Sequence, residues 1–231
     1  MKILCSICCR GGSRGLKNKN IKKIHGIPLI TYSIKQAQQS KIFEKIIVST
    51  DDIKIKDISK KNQVDLVVNR SIKLSNNKSP KLPVIKDALI KSEKFFDCKF
   101  DYIVDLDVTS PLRSVDDIKN SLKKIIKEKK EILFSVNEAR KNPYFNMVET
   151  RNSSYQLVKK KKNLDITRRQ SAPNVFEMNA SIYIWKRDAL LKKNNLFVKG
   201  NSIYIMPYER SIDIDSMIDF KIVKNLLKRK L

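Results

Sequence analysis

Short apolar runs of strand length alternate with amphipathic stretches of helix length from residue 3 to residue 128, and few folds accommodate that rhythm. The runs are Ile3 to Cys9, Lys45 to Ser49, Val64 to Val68 and Asp101 to Asp105. Between and after them, Leu29 to Gln39, Ile53 to Lys61, Pro83 to Phe96 and Val115 to Glu128 carry apolar residues at helical spacing. Ser114 stands where the last of these needs an N-cap, and Asp116 and Asp117 suit its first turn. Strands separated by helices of this length imply a mostly parallel sheet with right-handed crossovers, so the fold class is α/β. Ligands of such sheets bind beyond the carboxyl ends of the strands, where Arg10, Thr50-Asp51 and Asp105 to Asp107 emerge.

From Ile132 the rhythm changes. Ile132 to Val136, Phe145 to Glu149 and Tyr155 to Val158 read as strands, with Arg151 to Ser154 as a hairpin turn. A strand resumes at Ala180 to Trp185, followed by short β segments at Ile203 to Met206 and Ile212 to Ile214 and a closing helix from Ser216 to Lys230. With no internal repeat and no linker, the expectation is one domain over 1–231 with an inserted antiparallel excursion at about 140–178.

Length and composition narrow the class. A chain of 231 residues, 41% hydrophobic and 32% charged, can bury one full core and reads as a soluble globule. No apolar stretch approaches the ~20 residues that span a bilayer. Met1-Lys2 enters the first strand without a signal-peptide pattern, which points to a cytoplasmic protein without a membrane partner. Cys5, Cys8, Cys9 and Cys98 have no disulfide or zinc spacing and are expected reduced and buried. The net charge of +25 raises nucleic-acid binding as an option. The lysines are spread instead, as Lys22-Lys23, Lys60-Lys61, Lys123-Lys124, Lys129-Lys130 and Lys159 to Lys162, without interleaved aromatics. A solvated surface with no nucleic-acid partner is therefore expected.

Three loops carry chemistry. The first strand breaks into Arg10-Gly11-Gly12-Ser13-Arg14-Gly15, then Lys17, Lys19 and Asn20. Glycines let backbone N–H groups approach a phosphate while Arg and Lys supply countercharge. The loop is neither a P-loop nor a dinucleotide fingerprint, and a solvated turn is the alternative. The second loop, Asp105 to Arg113, offers Asp107, Thr109 and Ser110 beside a stiffening Pro111; its plainer reading is a helix cap followed by a solvated Arg113. In the third, alternation puts Asp213 and Asp215 on one side of an extended segment. Two adjacent carboxylates suit a hard cation such as Mg²⁺, and capping of the final helix is the alternative.

The run Ile7 to Asn20, Ser49-Thr50-Asp51, Thr109-Ser110-Pro111-Leu112-Arg113, Arg169-Gln170, Asn179-Ala180-Ser181-Ile182-Tyr183 and Asp213-Ile214-Asp215 occur in that order. Together they resemble the acylneuraminate cytidylyltransferases, also called CMP-sialic acid synthetases, over nearly the whole chain. The resemblance implies a three-layer α/β/α nucleotidyltransferase fold, a small antiparallel dimerisation excursion, a homodimer, Mg²⁺ as cofactor, and CTP and a nonulosonic acid as substrates. It implies that Arg10, Gly11, Ser13, Arg14, Lys19 and Asn20 hold the CTP, with Arg14 where the family often has Lys. It implies Asp213 and Asp215 as metal ligands, and Asp107, Thr109, Ser110, Arg169, Gln170, Glu177 and Asn179 on the sugar side. Arg10, Arg14, Lys19, Asp107 and Asp215 would be the catalytic set. The chain departs from the pattern at Asp107-Val108, where sialic-acid enzymes carry Gln-Pro, and at Glu177, where Arg is common. With Thr167 to Pro173 and Met178 to Ser181, it looks most like the branch that activates N,N'-diacetyllegionaminic acid.

On this reading the sugar's anomeric hydroxyl attacks the α-phosphorus of CTP and expels pyrophosphate, with Asp107 or a water on the metal as proton acceptor. His25, the one histidine, precedes Gly26-Ile27-Pro28 and is expected to be structural. The other expectations are a CMP-N-acetylneuraminate or CMP-keto-deoxyoctonate synthetase, or a basic nucleic-acid-binding protein.

Overall fold

The amino-terminal apolar run becomes the axis of the molecule. In the computed structural model, which describes all residues except 13–14, 77–78, 161–165 and 229–231, Ile3–Cys8 forms β1. A small hairpin follows, β2 (Lys23–Ile24) and β3 (Ile27–Pro28), and then α1 (Leu29–Ser40), β4 (Lys45–Thr50), α2 (Ile53–Lys61) and β5 (Leu66–Asn69). Next come α3 (Ile72–Ser75), α4 (Lys81–Phe96), β6 (Tyr102–Leu106), α5 (Val115–Lys127) and β7 (Ile132–Glu138). The hairpin β8 (Val148–Arg151) and β9 (Ser154–Leu157) precedes β10 (Phe176–Lys186), α6 (Arg187–Lys192), β11 (Ser202–Ile205) and α7 (Met217–Lys228).

Among the described residues the main sheet has seven strands in the order β11-β7-β10-β6-β1-β4-β5. β1 pairs in parallel with both β4 and β6, and β10 alone runs against its neighbours. Alternation along β1 divides the core: Ile3, Cys5 and Ile7 face α1, α5 and α7, while Leu4 faces α4 and α6. Ile30 and Ile34 of α1, Ile118 and Ile125 of α5, and Val223 of α7 fill the first layer. Ile85 and Leu89 of α4 and Leu190 of α6 fill the second. Helices therefore cover both faces, and the α/β architecture expected from the alternation is the one observed. Each fully buried Ile or Leu contributes about 1.5–3 kcal/mol relative to exposure.

Two expected strands fail for local reasons. The segment 212–214 is extended but joins no ladder; the Ile214 N–H donates to the Thr109 carbonyl at 3.0 Å. Of Phe145 to Glu149, only Val148 and Glu149 enter a strand. Asn142 holds the residues before them in a turn: its carbonyl accepts from the N–H groups of Phe145, Asn146 and Met147, and its side chain accepts from Tyr144. β10 instead begins four residues earlier than expected and is bent by an irregularity between Met178 and Tyr183, where Ala180 is left-handed at φ 51°. Ser135 and Asn179 side chains replace the missing ladder bonds: Ser135 Oγ accepts from Ile182 N and donates to Asn179 Oδ1. β2, β3, α3 and α6 are too short to show a period.

Asp117 ties α5 to the approach of α7. Its carboxylate is buried, accepts from Ser114 N and Oγ at 2.8 Å as a capping box, and takes Arg210 Nε and Nη2 at 2.9 Å each. Burial works against its charge, but the Arg210 and Ser114 hydrogen bonds hold its pKa below the ordinary carboxylate value. A depressed folded pKa means that the contribution is present above the unfolded pKa near 4 and is lost as pH falls through the folded value. Asp117→Ala is expected to lower the unfolding free energy by about 3 kcal/mol at neutral pH, measured by urea titration, because Arg210 loses its partner. The gap between wild type and variant should narrow as the titration is repeated below about pH 4.

Candidate active site

β1, β4, β5 and β6 release their loops at one edge of the sheet, and a cavity of about 470 Å³ opens there. Arg10, Gly15, Lys19 and Asn20 come to it from the loop after β1, and Arg70 from the end of β5. Lys81 enters with the first turn of α4, and Asp107 and Thr109 from the exit of β6. Asp215 closes the wall from the segment before α7.

Local hydrogen bonds shape the glycine-rich loop. Gly11 N donates to Asp51 Oδ1 at 3.1 Å, Asn20 Nδ2 to the Arg10 carbonyl at 2.9 Å, and Arg10 Nη1 to the Asn76 carbonyl at 2.8 Å. Asn20 is buried by this use. Gly15 lies so close to the third loop that a Cβ there would meet the Asp215 carbonyl at 2.6 Å. Lys19 Nζ donates to the Ile214 carbonyl at 2.6 Å and to Asp215 Oδ1 at 3.0 Å. With the Ile214-to-Thr109 bond, these contacts join all three sequence-identified loops.

The acidic groups differ in their surroundings. Ile212 and Ile214 pack on the core, leaving Asp213 and Asp215 on the other side of the extended segment. Asp215 is largely exposed beside Lys19. Asp213 Oδ1 is buried and finds no hydrogen-bond partner among the described residues. Burial pushes Asp213 up to about 6; a Thr109 hydrogen bond and Lys19 oppose the shift, and the Asp107 and Asp215 charges add to it. An orphaned carboxylate oxygen with a second carboxylate nearby fits a hard cation. Mg²⁺ takes one or two carboxylates and completes its shell with water and phosphate oxygens, so two ligands suffice.

Asp107 is differently bound. Its Oδ2 accepts from Lys81 Nζ at 2.9 Å, and its Oδ1 from Thr109 N at 3.2 Å and Oγ1 at 3.0 Å. Burial would raise its pKa, but Lys81 and Thr109 hold it below the carboxylate range. Arg113 is buried rather than solvated, donating to the carbonyls of Asp107 and Ser181, to Ser33 Oγ and to Gln36 Oε1. It locks the 107–113 loop from beneath.

Of the residues named from sequence, Arg10, Lys19, Asn20, Asp107, Thr109 and Asp215 line one cavity, and Asp213 lies in hydrogen-bond reach of Thr109. Ser13 and Arg14 lie outside the described residues. Gly11 contributes its N–H to Asp51. Ser110 and Asn179 are buried struts: Ser110 Oγ donates to the Asn179 carbonyl, and Asn179 Nδ2 donates to Ser211 Oγ at 3.0 Å. Arg169 and Gln170 are exposed, with Arg169 beside a second cavity of about 160 Å³ and donating to the Ala139 carbonyl. Glu177 accepts from Arg140 N and Asn137 Nδ2. Within one chain, Arg169, Gln170 and Glu177 are not brought to the main cavity. His25 sits in a left-handed turn with Nε2 2.8 Å from the Lys224 carbonyl, a structural role as expected.

Sequence reasoning missed Arg70, Asn76 and Lys81. Arg70 is buried with Nη2 on the Ser49 carbonyl at 2.7 Å. The available signal was its place directly after β5, at the same edge as the other loops. Lys81 has no such signal, since its carboxylate partners lie 24 and 26 residues away.

Comparison with known proteins agrees with this geometry. A family model described as cytidylyltransferase matches residues 4–229. The chain is 45% identical over 229 residues to a Campylobacter jejuni protein named CMP-N,N'-diacetyllegionaminic acid synthase, covering 99% of this chain and 96% of that one. It is 44% identical over 229 residues, with the same coverage, to post-translational flagellin modification protein B of Campylobacter coli. In fold it is similar to CMP:2-keto-3-deoxy-manno-octonic acid synthetase solved with CTP, at a TM-score of 0.72, 14% identity and full coverage of both chains. A parallel sheet with three joined loops at its carboxyl edge, matched by a family model along almost its entire length, makes this chain a member of the cytidylyltransferase family and a nucleotidyltransferase.

Proposed function

We propose that the enzyme joins CTP to a nonulosonic acid, N,N'-diacetyllegionaminic acid, releasing pyrophosphate and the CMP-sugar. The hydrogen-bonded junction of the 10–20, 107–113 and 213–215 segments carries the reading, because it sets cationic, acidic and glycine-backbone groups around one cavity. The sugar assignment is supported by the name of the 45% identical relative. The whole chain acts as one domain, with 140–178 as its excursion.

Arg10 and Lys19, with Ser13 and Arg14 from the same loop, hold the triphosphate, and Gly11 and Asn20 shape its seat. Asp213 and Asp215 would hold Mg²⁺, which would supply charge neutralisation for the phosphates. The sugar's 2-hydroxyl oxygen forms a bond to the α-phosphorus while the bond to the β-phosphate oxygen breaks and pyrophosphate leaves. Arg10 and Lys19 stabilise the charge that develops on the leaving group. Asp107 and Thr109 form the acceptor side, with the buried Ser110 bracing the turn behind them. Because Lys81 weakens Asp107 as a base, its contribution is to orient the acceptor hydroxyl, whose proton passes to solvent water.

A homodimer gives Arg169, Gln170 and Glu177 a route to the sugar, since a second copy can present them to a neighbouring cavity. Exposed apolar side chains around the excursion support this: Val148 and Tyr155 on the hairpin, with Met178 and Phe197 beside it. A cytoplasmic location is part of the proposal, because that is where CTP is available. Among the described residues no helix is long and apolar enough to cross a membrane.

The direct test is incubation with CTP, Mg²⁺ and a panel of N,N'-diacetyllegionaminic acid, N-acetylneuraminic acid and keto-deoxyoctonate, with product masses recorded. The diacetyllegionaminic product should dominate; dominance of the keto-deoxyoctonate product would overturn the sugar assignment. Asp215→Asn is expected to reduce CTP-dependent pyrophosphate release roughly 100-fold, and chelation of the metal to abolish it. Near wild-type turnover in that variant would sink the metal assignment. Gly15→Ala, whose new methyl must displace the Asp215 carbonyl, should weaken CTP binding about tenfold by calorimetry.

A further inference from the structure

Lys81 lies in the first turn of α4, and three contacts use its ammonium. Nζ stands 2.9 Å from Asp105 Oδ2, 2.9 Å from Asp107 Oδ2 and 4.2 Å from the centre of the Tyr183 ring. The ammonium is held between the two carboxylates and against the ring while it still borders the cavity. Asp105 is fully buried and its second oxygen accepts from Ser6 Oγ at 2.8 Å, which fixes the far end of the network. Asp107, in contrast, is partly open to the cavity. A carboxylate offers about four acceptor directions, and Lys81, Thr109 N and Thr109 Oγ1 occupy three of Asp107's.

We propose that Lys81 is a positioning residue for the acceptor sugar: it locks the Asp107 carboxylate so that its one remaining acceptor direction meets an O–H or amide N–H of the sugar acid. This rests on the cytidylyl-transfer reading above and deepens its account of the acceptor side. The other charged or titratable groups near the cluster of Lys81, Asp105 and Asp107 are Tyr183 on β10, Cys8 of β1, Cys9 just after it, Arg113 and Asp213. Burial alone would lower the pKa of Lys81, and the Asp105 and Asp107 carboxylates overrule it, keeping the ammonium charged. The ligand class follows from charge. A fixed carboxylate accepts hydroxyl or acetamido donors and repels another carboxylate, so the sugar acid must turn its own carboxylate away from Asp107. Removing Lys81 leaves Asp105 and Asp107 without their shared counter-ion, and Asp107 is free to swing.

A double-mutant cycle on the full-length enzyme tests this, with KM for the sugar acid and for CTP measured separately. Lys81→Met is expected to raise the sugar KM roughly 10- to 100-fold, the effect of losing one hydrogen bond to a charged group. The CTP KM should stay within about twofold. Asp107→Asn should raise the sugar KM similarly, and the double variant should be no worse than the more affected single one, because Lys81 acts through Asp107. Multiplied effects in the double variant, or a parallel rise in both KM values, overturn the proposal. Lys81→Arg is measured alongside, because it keeps the charge that folding of this region needs. The planar fork does not fit between Asp105, Asp107 and the Tyr183 ring as an ammonium does, so its sugar KM should also rise. A wild-type value overturns the proposal. Failure of the wild-type enzyme to turn over any nonulosonic acid overturns the underlying reading and this one together, whereas an unchanged Lys81→Met KM in an active enzyme overturns Lys81 alone.

Discussion

Parallel pairing of β1 with both β4 and β6 is the constraint on which the rest of this protein depends. It sets Cys8 beside Ser49 and Ser6 beside Asp105, so the chain leaves three strands at one edge within a few ångströms of height. Every chemically rich loop then starts from the same line. The backbone finishes the work: Ile214 N on the Thr109 carbonyl and Lys19 on the Ile214 carbonyl convert proximity into a fixed arrangement. Gly15 permits the closest approach, since any side chain there would displace the Asp215 carbonyl.

Charge explains why this edge is a site rather than a seam. The chain carries +25 overall, yet Asp105, Asp107, Asp213 and Asp215 gather where the cavity opens. Lys81 neutralises part of this and Lys19 another part, but Asp213 keeps a buried oxygen without a partner among the described residues. Its rise from 3.8 to about 6 corresponds to about 3 kcal/mol of penalty on the charged form. Lys19 already opposes this shift and does not cancel it. A cation held by Asp213 and Asp215 would supply the countercharge that the buried Asp213 carboxylate lacks.

Much of this was legible in the sequence, for physical reasons that can be named. β1, β4 and β6 are buried on both faces and therefore read as apolar runs, and the glycine-rich loop reads as a phosphate seat because few other structures need that composition. The 213–215 alternation also showed truly, although its extended backbone pairs with a loop carbonyl rather than a strand. The plainer alternative for the second loop, a solvated Arg113, fails because its partners Ser33, Gln36 and Ser181 come from three distant segments. Arg70 and Lys81 were hidden among 49 basic residues, and only tertiary contact separates them from the solvated majority. Arg169, Gln170 and Glu177 show the opposite limit: a motif names them, but one chain alone does not carry them to the cavity.

The central claim is that the three loops make one site in which nucleotide and cation bind together. Replacing Mg²⁺ by Mn²⁺ and titrating it by electron paramagnetic resonance, with and without CTP, tests this most directly. Tight Mn²⁺ binding should require CTP in the wild-type protein and disappear in Asp213→Asn with CTP present. Mn²⁺ binding of equal strength with and without CTP, and unchanged in Asp213→Asn, would contradict the account.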